Sequence, residues 1–232
     1  MQDLIFDIGF LLFGYLVGSI PFGLIVVKLK TGKDIRSVES GRTGGANAMR
    51  AGGFGAGILT AILDVLKGAV VVWIAQAFAH NNYWAYILAP IGAVLGHNYS
   101  LYLPEYDSNH RFLRLRGGAG AAPALGGAIG LWWPSILIIV PIGALAFFVL
   151  GYASLTTISV GLSTLAIFLV RKLWGIDDLW INTFYGAVVL VLLVWALRPN
   201  IQKLMNGTER VIGMSLHGRS KAKREQQKSS SS

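Results

Sequence analysis

Two arginines and three glycines fall within seven residues in RLRGGAG: Arg114, Arg116, Gly117, Gly118 and Gly120. This combination suits phosphate. Glycines let backbone N–H groups come close to an anion, and arginine presents a planar fork to its oxygens. A helix beginning at Gly117 would aim its free N–H groups at the same point. Small residues also serve helix packing in membranes, and Gly126, Gly127 and Gly130 fit that use. A bare GGxG is a weak motif on its own.

Two further stretches have similar chemistry. DIRSVESGRTGGANAMRAGG, residues 34–53, offers Ser40, Arg42, Thr43, Asn47 and Arg50 among Gly41, Gly44 and Gly45. It reads equally as an anion-binding nest or as a flexible basic loop. LRPNIQKLMNGTER, residues 197–210, places Arg198 and Asn200 where they can hydrogen-bond a polar headgroup. It reads also as an interfacial amphipathic helix, with Ile201 and Leu204 in the lipid boundary and Lys203 above it.

Two polar features lie inside apolar segments. Asp64 and Lys67 are three apart, so on a helix they share a face and can pair. A charge at mid-span costs roughly 2.5–3.5 kcal/mol on insertion scales, which places such a pair in a bundle interior or a wet pocket. GHNYS supplies His97 beside Asn98; by itself a histidine there is more often structural than catalytic.

The elements that must position these residues are membrane helices. Of 232 residues, 54% are hydrophobic and 13% charged, and the mean hydropathy is +0.58. A soluble core cannot hide that much apolar surface, whereas a bilayer can. Seven apolar segments follow: 4–27, 54–79, 83–103, 117–133, 134–151, 153–171 and 179–197. Each is near the length a helix needs to span hydrocarbon, and runs without strict alternation exclude a barrel. The segment 117–133 is short and holds Pro123, which suggests a tilted or re-entrant course. The expected fold is all-α: a polytopic bundle of about seven transmembrane helices forming one domain over 1–212. A basic, serine-rich, disordered tail follows over 213–232.

Charge placement orients the bundle. Seventeen of the twenty basic residues lie on one side: in the 28–50 loop, in Arg111 to Arg116, and from Arg198 to Lys228. The other side carries Arg171 and Lys172, followed by Asp177 and Asp178. The positive-inside rule then puts the N-terminus outside and the C-terminus in the cytoplasm. Trp84, Trp132, Trp133, Trp174 and Trp180 gather at the expected outer boundary. The opening MQDLIFDIGF has Asp3 and Asp7 but no basic residue, which argues for a retained span over a signal peptide. The net charge of +9 is thereby placed by the membrane, not gathered on a face for nucleic acid. The sequence has no cysteine, so thiol chemistry is excluded. No group of histidines and carboxylates has metal-ligand spacing, so no cofactor is expected.

Taken in order, GSIPFG (18–23), DIRSVESGRTGGANAMR (34–50), LDVLKG (63–68), GHNYS (96–100), LRGGAGAAPALG (115–126) and LRPNIQKLMNGTE (197–209) resemble the bacterial acyl-phosphate:glycerol-3-phosphate acyltransferases. The resemblance covers nearly the whole chain. It implies a seven-helix fold in the bacterial inner membrane, with the motifs meeting at the cytoplasmic face. It also implies transfer of a fatty acyl group from acyl phosphate to the 1-hydroxyl of glycerol 3-phosphate in phospholipid synthesis.

The family's first motif reads SGNxGATNxxR, and Ser40, Gly41, Gly44, Asn47 and Arg50 match it. Its second, GGKG, persists in Gly117, Gly118 and Gly120, with Ala119 in place of the lysine. Its third matches at Arg198, Asn200, Ile201, Gly207 and Glu209, with Leu197 in place of a histidine. Arg42 stands where the family has asparagine, and the connection from His97 to Gly117 is longer than usual. The missing lysine and histidine belong to the polar set the family uses around glycerol 3-phosphate.

The resemblance assigns Ser40, Arg50 and Asn200 to catalysis. It assigns Gly41, Gly44, Asn47, Asp64, Lys67, His97, Arg116, Gly117, Gly118, Gly120 and Arg198 to substrate binding. No HxxxxD element is present, so a His–Asp base of the soluble-domain acyltransferases is not expected. The alternative is a divergent, weakly active or inactive relative that binds an anion or lipid, or a transporter. A transporter would be expected to show paired half-repeats, and none is visible.

Overall fold

The computed structural model describes residues 2–177, 180–213, 215–220, 223 and 227. Asp178 and most of the expected tail lie outside the described residues. Nine helices are described: α1 Gln2–Ser19, α2 Phe22–Thr31, α3 Gly45–Gly52, α4 Phe54–Phe78, α5 Tyr83–Asn98, α6 Ala121–Leu131, α7 Ile136–Leu145, α8 Ala153–Leu173 and α9 Ile181–Met205. A π-helical turn, Ala146–Leu150, prolongs α7.

The first apolar segment is not one helix. Ile20 precedes Pro21, and the proline ring disfavours helical geometry at the residue before it. So α1 stops at Ser19 and α2 restarts at Phe22. At the break the Ile20 carbonyl accepts from the Phe22 N–H at 3.1 Å and from Lys67 Nζ at 3.0 Å.

Glycines bring the helices together. A Cβ at Gly18 would land on the Ala93 backbone of α5, and one at Gly96 on the Tyr15 carbonyl of α1. Gly68 of α4 and Gly126 of α6 make the same approach to Pro123 and Val65. In lipid, where burial of apolar surface adds no drive between helices, such close packing is what holds a bundle. Ile87, Ile91, Val94, Phe168, Tyr185, Val189 and Leu193 fill the interior, while Leu4, Ile5, Leu59, Leu137 and Val191 are left for lipid.

Among the described residues, five stretches are long and apolar enough to cross a membrane: Leu4–Thr31, Phe54–Phe78, Trp133–Leu150, Ala153–Leu173 and Ile181–Met205. The expected segments 83–103 and 117–133 are shorter as helices. α5 ends at Asn98 and α6 occupies only Ala121–Leu131, about 16 Å of rise. The long connection between them folds into a hairpin, β1 Pro104–Tyr106 against β2 Phe112–Leu115. Packing also continues past residue 212. Ile212 N–H donates to the Gly151 carbonyl at 2.7 Å, and the side chain of Ser215 is buried against Gly151.

The two ends of the bundle differ. At one end Trp84 meets Phe184, Arg171 lies over Trp132, and Lys172 over Trp180. The other end holds the N-termini of α6 and α8, the C-termini of α5 and α9, and all three motif stretches.

Candidate functional site

Arg42 joins the three motif stretches. Its Nη1 donates to the Gly118 carbonyl at 3.2 Å. Its Nη2 donates to the Ala196 carbonyl at 2.8 Å and to Asn200 Oδ1 at 3.0 Å. A single guanidinium thus connects residues 76, 154 and 158 positions away in sequence. Burial lowers its pKa from the ordinary arginine value.

The loop that presents Arg42 is built by local hydrogen bonds. Asp34 caps the short turn Ile35–Ser37, accepting from Arg36 N–H at 2.9 Å. Arg36 also pairs with that carboxylate at 2.7 Å, which holds Asp34 below the usual carboxylate range. Buried Asn47 places Nδ2 within reach of the carbonyls of Ile35, Val38 and Arg42, at 3.2, 3.0 and 2.9 Å. Gly41 adopts a left-handed φ of 65°, and a Cβ there would sit 2.7 Å from Arg116 Nη2. Thr43 N–H donates to the Gly117 carbonyl at 3.3 Å, tying this loop to the glycine run.

A buried polar cluster lies against the glycine run. Lys67 Nζ is 2.7 Å from Asp64 Oδ1 and 3.0 Å from His97 Nδ1, and His97 Nδ1 is 3.5 Å from Asp64 Oδ1. His97 in turn faces Gly118. Gly118 N–H donates to the His97 carbonyl at 2.8 Å, and a Cβ at 118 would collide with Nε2 of the ring. Next door, Asn98 is buried with neither polar side-chain atom hydrogen-bonded, and its Oδ1 faces Gly120.

Arg50 lies on the other side of the first-motif loop, where it lines a cavity of about 380 Å³. Its other walls are Glu39, Ala46, Met49, Phe147, Arg210, Val211, Ile212 and Gly213. Arg210 and Glu39 form an ion pair at its edge. Burial lowers the Arg50 pKa also. Between cavity and junction stands Glu209, whose Oε2 accepts from Ser154 at 2.6 Å and whose Oε1 accepts from Asn200 at 3.4 Å.

The expected residues thus fall into three groups. Arg116, Gly117, Gly118, Gly120 and Asn200 meet at or beside the Arg42 junction. Asp64, Lys67 and His97 form the buried cluster beneath Gly118. Arg50 lines the cavity. Ser40 is exposed, with Oγ 3.4 Å from the Arg42 N–H, and Gly44 caps α3.

Three expectations change. No helix starts at Gly117: α6 starts at Ala121, because the glycine run is held extended by bonds to His97 and Thr43, and this occupies the Gly118 N–H. Asn47 Nδ2 is engaged by loop carbonyls, while its Oδ1 is buried with no hydrogen-bond partner. Arg198 is not brought to the junction. Pro199 has no N–H to bond the Trp195 carbonyl, so Arg198 Nε donates there at 3.2 Å while its guanidinium stacks on the Trp195 ring. Ser154 was not expected at all, since a serine inside a span reads as a packing residue.

Bundle and site together define a polytopic helical membrane protein with an arginine-lined recess at one end. The model of the family described as glycerol-3-phosphate acyltransferase matches residues 8–207, and the chain belongs to that family. The glycerol-3-phosphate acyltransferase of Rhodopseudomonas palustris (strain BisB5) is 36% identical over 203 residues, covering 88% of this chain and 94% of the relative. One from Thermus thermophilus is 36% identical over 205 residues, covering 88% and 94%. The solved structure of PlsY (YgiH), an integral membrane glycerol 3-phosphate acyltransferase in its glycerol 3-phosphate form, superposes with a TM-score of 0.72. It is 31% identical, covering 92% of this chain and 96% of that one. The lysophosphatidic acid form of PlsY gives 0.69 at 28% identity.

Proposed function

We propose that this protein transfers a fatty acyl group from acyl phosphate to the 1-hydroxyl of glycerol 3-phosphate. The products are lysophosphatidic acid and phosphate, and the place is the cytoplasmic face of the bacterial cell membrane. The observation that carries this reading is the Arg42 junction of three motif stretches beside the Arg50 cavity. The distribution of basic residues supports the orientation, with seven segments entering or crossing the bilayer.

The donor is an activated mixed anhydride. The acceptor oxygen attacks the acyl carbonyl carbon, the carbonyl–phosphate bond breaks, and the departing phosphate takes the hydroxyl proton. The protein's task is to hold two anionic heads together and aim one at the other. The cavity suits the donor: Arg50 offers positive charge to its phosphate beside the Arg210–Glu39 ion pair, while Met49, Phe147, Val211 and Ile212 line an apolar flank for the acyl chain. Asn200 and Ser40 stand beside the path between cavity and junction. Asp64, Lys67 and His97 brace the glycine run from below.

Phosphate release from acyl phosphate, with glycerol 3-phosphate as acceptor, tests this directly in the purified protein. Arg50→Ala should abolish turnover; full activity in that variant would refute the assignment. The absence of lysine at 119 and histidine at 197 favours a second reading, an anion-binding relative without activity. Acceptor binding without phosphate release would support that one.

A further inference from the structure

We propose that Arg42 binds the phosphate of the glycerol 3-phosphate acceptor, replacing with one guanidinium the lysine and histidine absent at positions 119 and 197. This inference rests on the acyl-transfer reading above.

The geometry is specific. The Gly118 carbonyl belongs to the peptide that joins Gly118 to Ala119, and the Ala196 carbonyl to the peptide that joins Ala196 to Leu197. Arg42 bonds to both, at 3.2 and 2.8 Å. The guanidinium therefore lies beside both positions at which the family's lysine and histidine are missing. Arg42 is itself a departure, in a motif that also has Gly45 for alanine and Ala46 for threonine. The changes at 42, 119 and 197 are one exchange: two side chains from different parts of the chain lose their polar groups, and the loop packed between them gains a permanent cation.

Among the described residues Arg42 has no carboxylate in ion-pair contact; Glu209, which accepts from Asn200, favours its charge only from farther off. Arg36 pairs with Asp34, Arg114 and Arg116 with Glu105, Arg171 with Asp177, and Arg210 with Glu39. No described carboxylate forms an ion pair with Arg42. Its three acceptors are two carbonyls and an amide. A guanidinium carries five N–H donors; Nε–H and one Nη1–H remain, on different edges, each able to donate singly to a ligand. Burying a cation without a contacting carboxylate is unfavourable unless an anion completes the site. A phosphate monoester supplies both the negative charge and the acceptor oxygens. Arg50, exposed at the cavity assigned to the donor, also has no ion pair among the described residues. Two such guanidiniums thus serve two phosphoryl heads.

The experiment uses the full chain, purified in detergent or nanodiscs. Arg42→Asn should weaken glycerol 3-phosphate binding by calorimetry and raise its KM by about tenfold or more, with the KM for acyl phosphate changed less than about threefold. The triple variant R42N/A119K/L197H, which moves the charge back, should recover most of that loss. Equal rises in both KM values, or unchanged acceptor binding, would overturn the proposal and leave Arg42 as a strut. If R42N unfolds, R42Q keeps amide donors without the charge: acceptor binding weakened about tenfold supports the assignment, and unchanged binding overturns it. If the wild-type protein binds glycerol 3-phosphate but releases no phosphate, the acyl-transfer reading fails, and the binding comparison still decides the role of Arg42.

Discussion

Gly118 and His97 are in contact through both backbone and side chain. The Gly118 N–H donates to the His97 carbonyl at 2.8 Å, and the imidazole Nε2 occupies the space a Cβ at 118 would take. The second glycine of GGxG is therefore required by a neighbouring ring as well as by any ligand. Gly118→Ala should displace the ring and destabilise the protein by about 1–3 kcal/mol, the usual cost of overpacking. Thermal unfolding in detergent reads this, and G118A/H97A should regain stability without regaining turnover.

Asp64 and Lys67 are each almost fully buried and 2.7 Å apart. Removing one partner strands the other charge inside the bundle. Asp64→Asn alone should cost about 3–5 kcal/mol, while the apolar replacement D64L/K67M should cost much less. Chemical unfolding of the single and double variants separates the two outcomes.

Ser154 donates to Glu209, and Glu209 also accepts from Asn200. Ser154→Ala removes one donor from a buried carboxylate, at about 1–3 kcal/mol. Because Glu209 links the cavity to the Arg42 junction, turnover should fall along with stability. Ser154→Thr, which keeps the hydroxyl, should restore more of the turnover than Ala.

Arg198 is exposed and stacked on Trp195, facing away from the junction. Arg198→Ala should change stability by no more than about 0.5 kcal/mol, as for other surface positions. Its KM for glycerol 3-phosphate should match that of the wild type in the phosphate-release assay. A large rise would restore Arg198 to the site.

The cysteine-free sequence makes orientation simple to test. Single cysteines introduced by Lys33→Cys and Trp174→Cys, both at exposed positions, lie at opposite ends of the bundle. In intact cells an impermeant thiol reagent should label W174C and spare K33C. The reverse pattern would invert the bundle.

Composition and hydropathy were enough to establish a helical membrane protein. That inference is local: burying this much apolar surface needs lipid whatever the contacts. Motif order was enough to suggest the family, because residue types at fixed spacing along the chain carry it. The Asp64–Lys67 pair was also readable, since a three-residue interval on a helix fixes a shared face. What could not be read was which loop residues meet across 76 to 158 positions of chain. Arg42 stood out only as a departure from pattern, and nothing local says that its side chain reaches α9. Arg198 matched the pattern and yet turns away, because Pro199 frees a carbonyl that its guanidinium side chain then takes. The start of α6 was likewise decided by partners distant in sequence, His97 and Thr43. Periodicity and composition set what each segment becomes. Where its polar atoms point depends on which donors and acceptors the packed helices leave open, and that is settled only when the bundle is assembled.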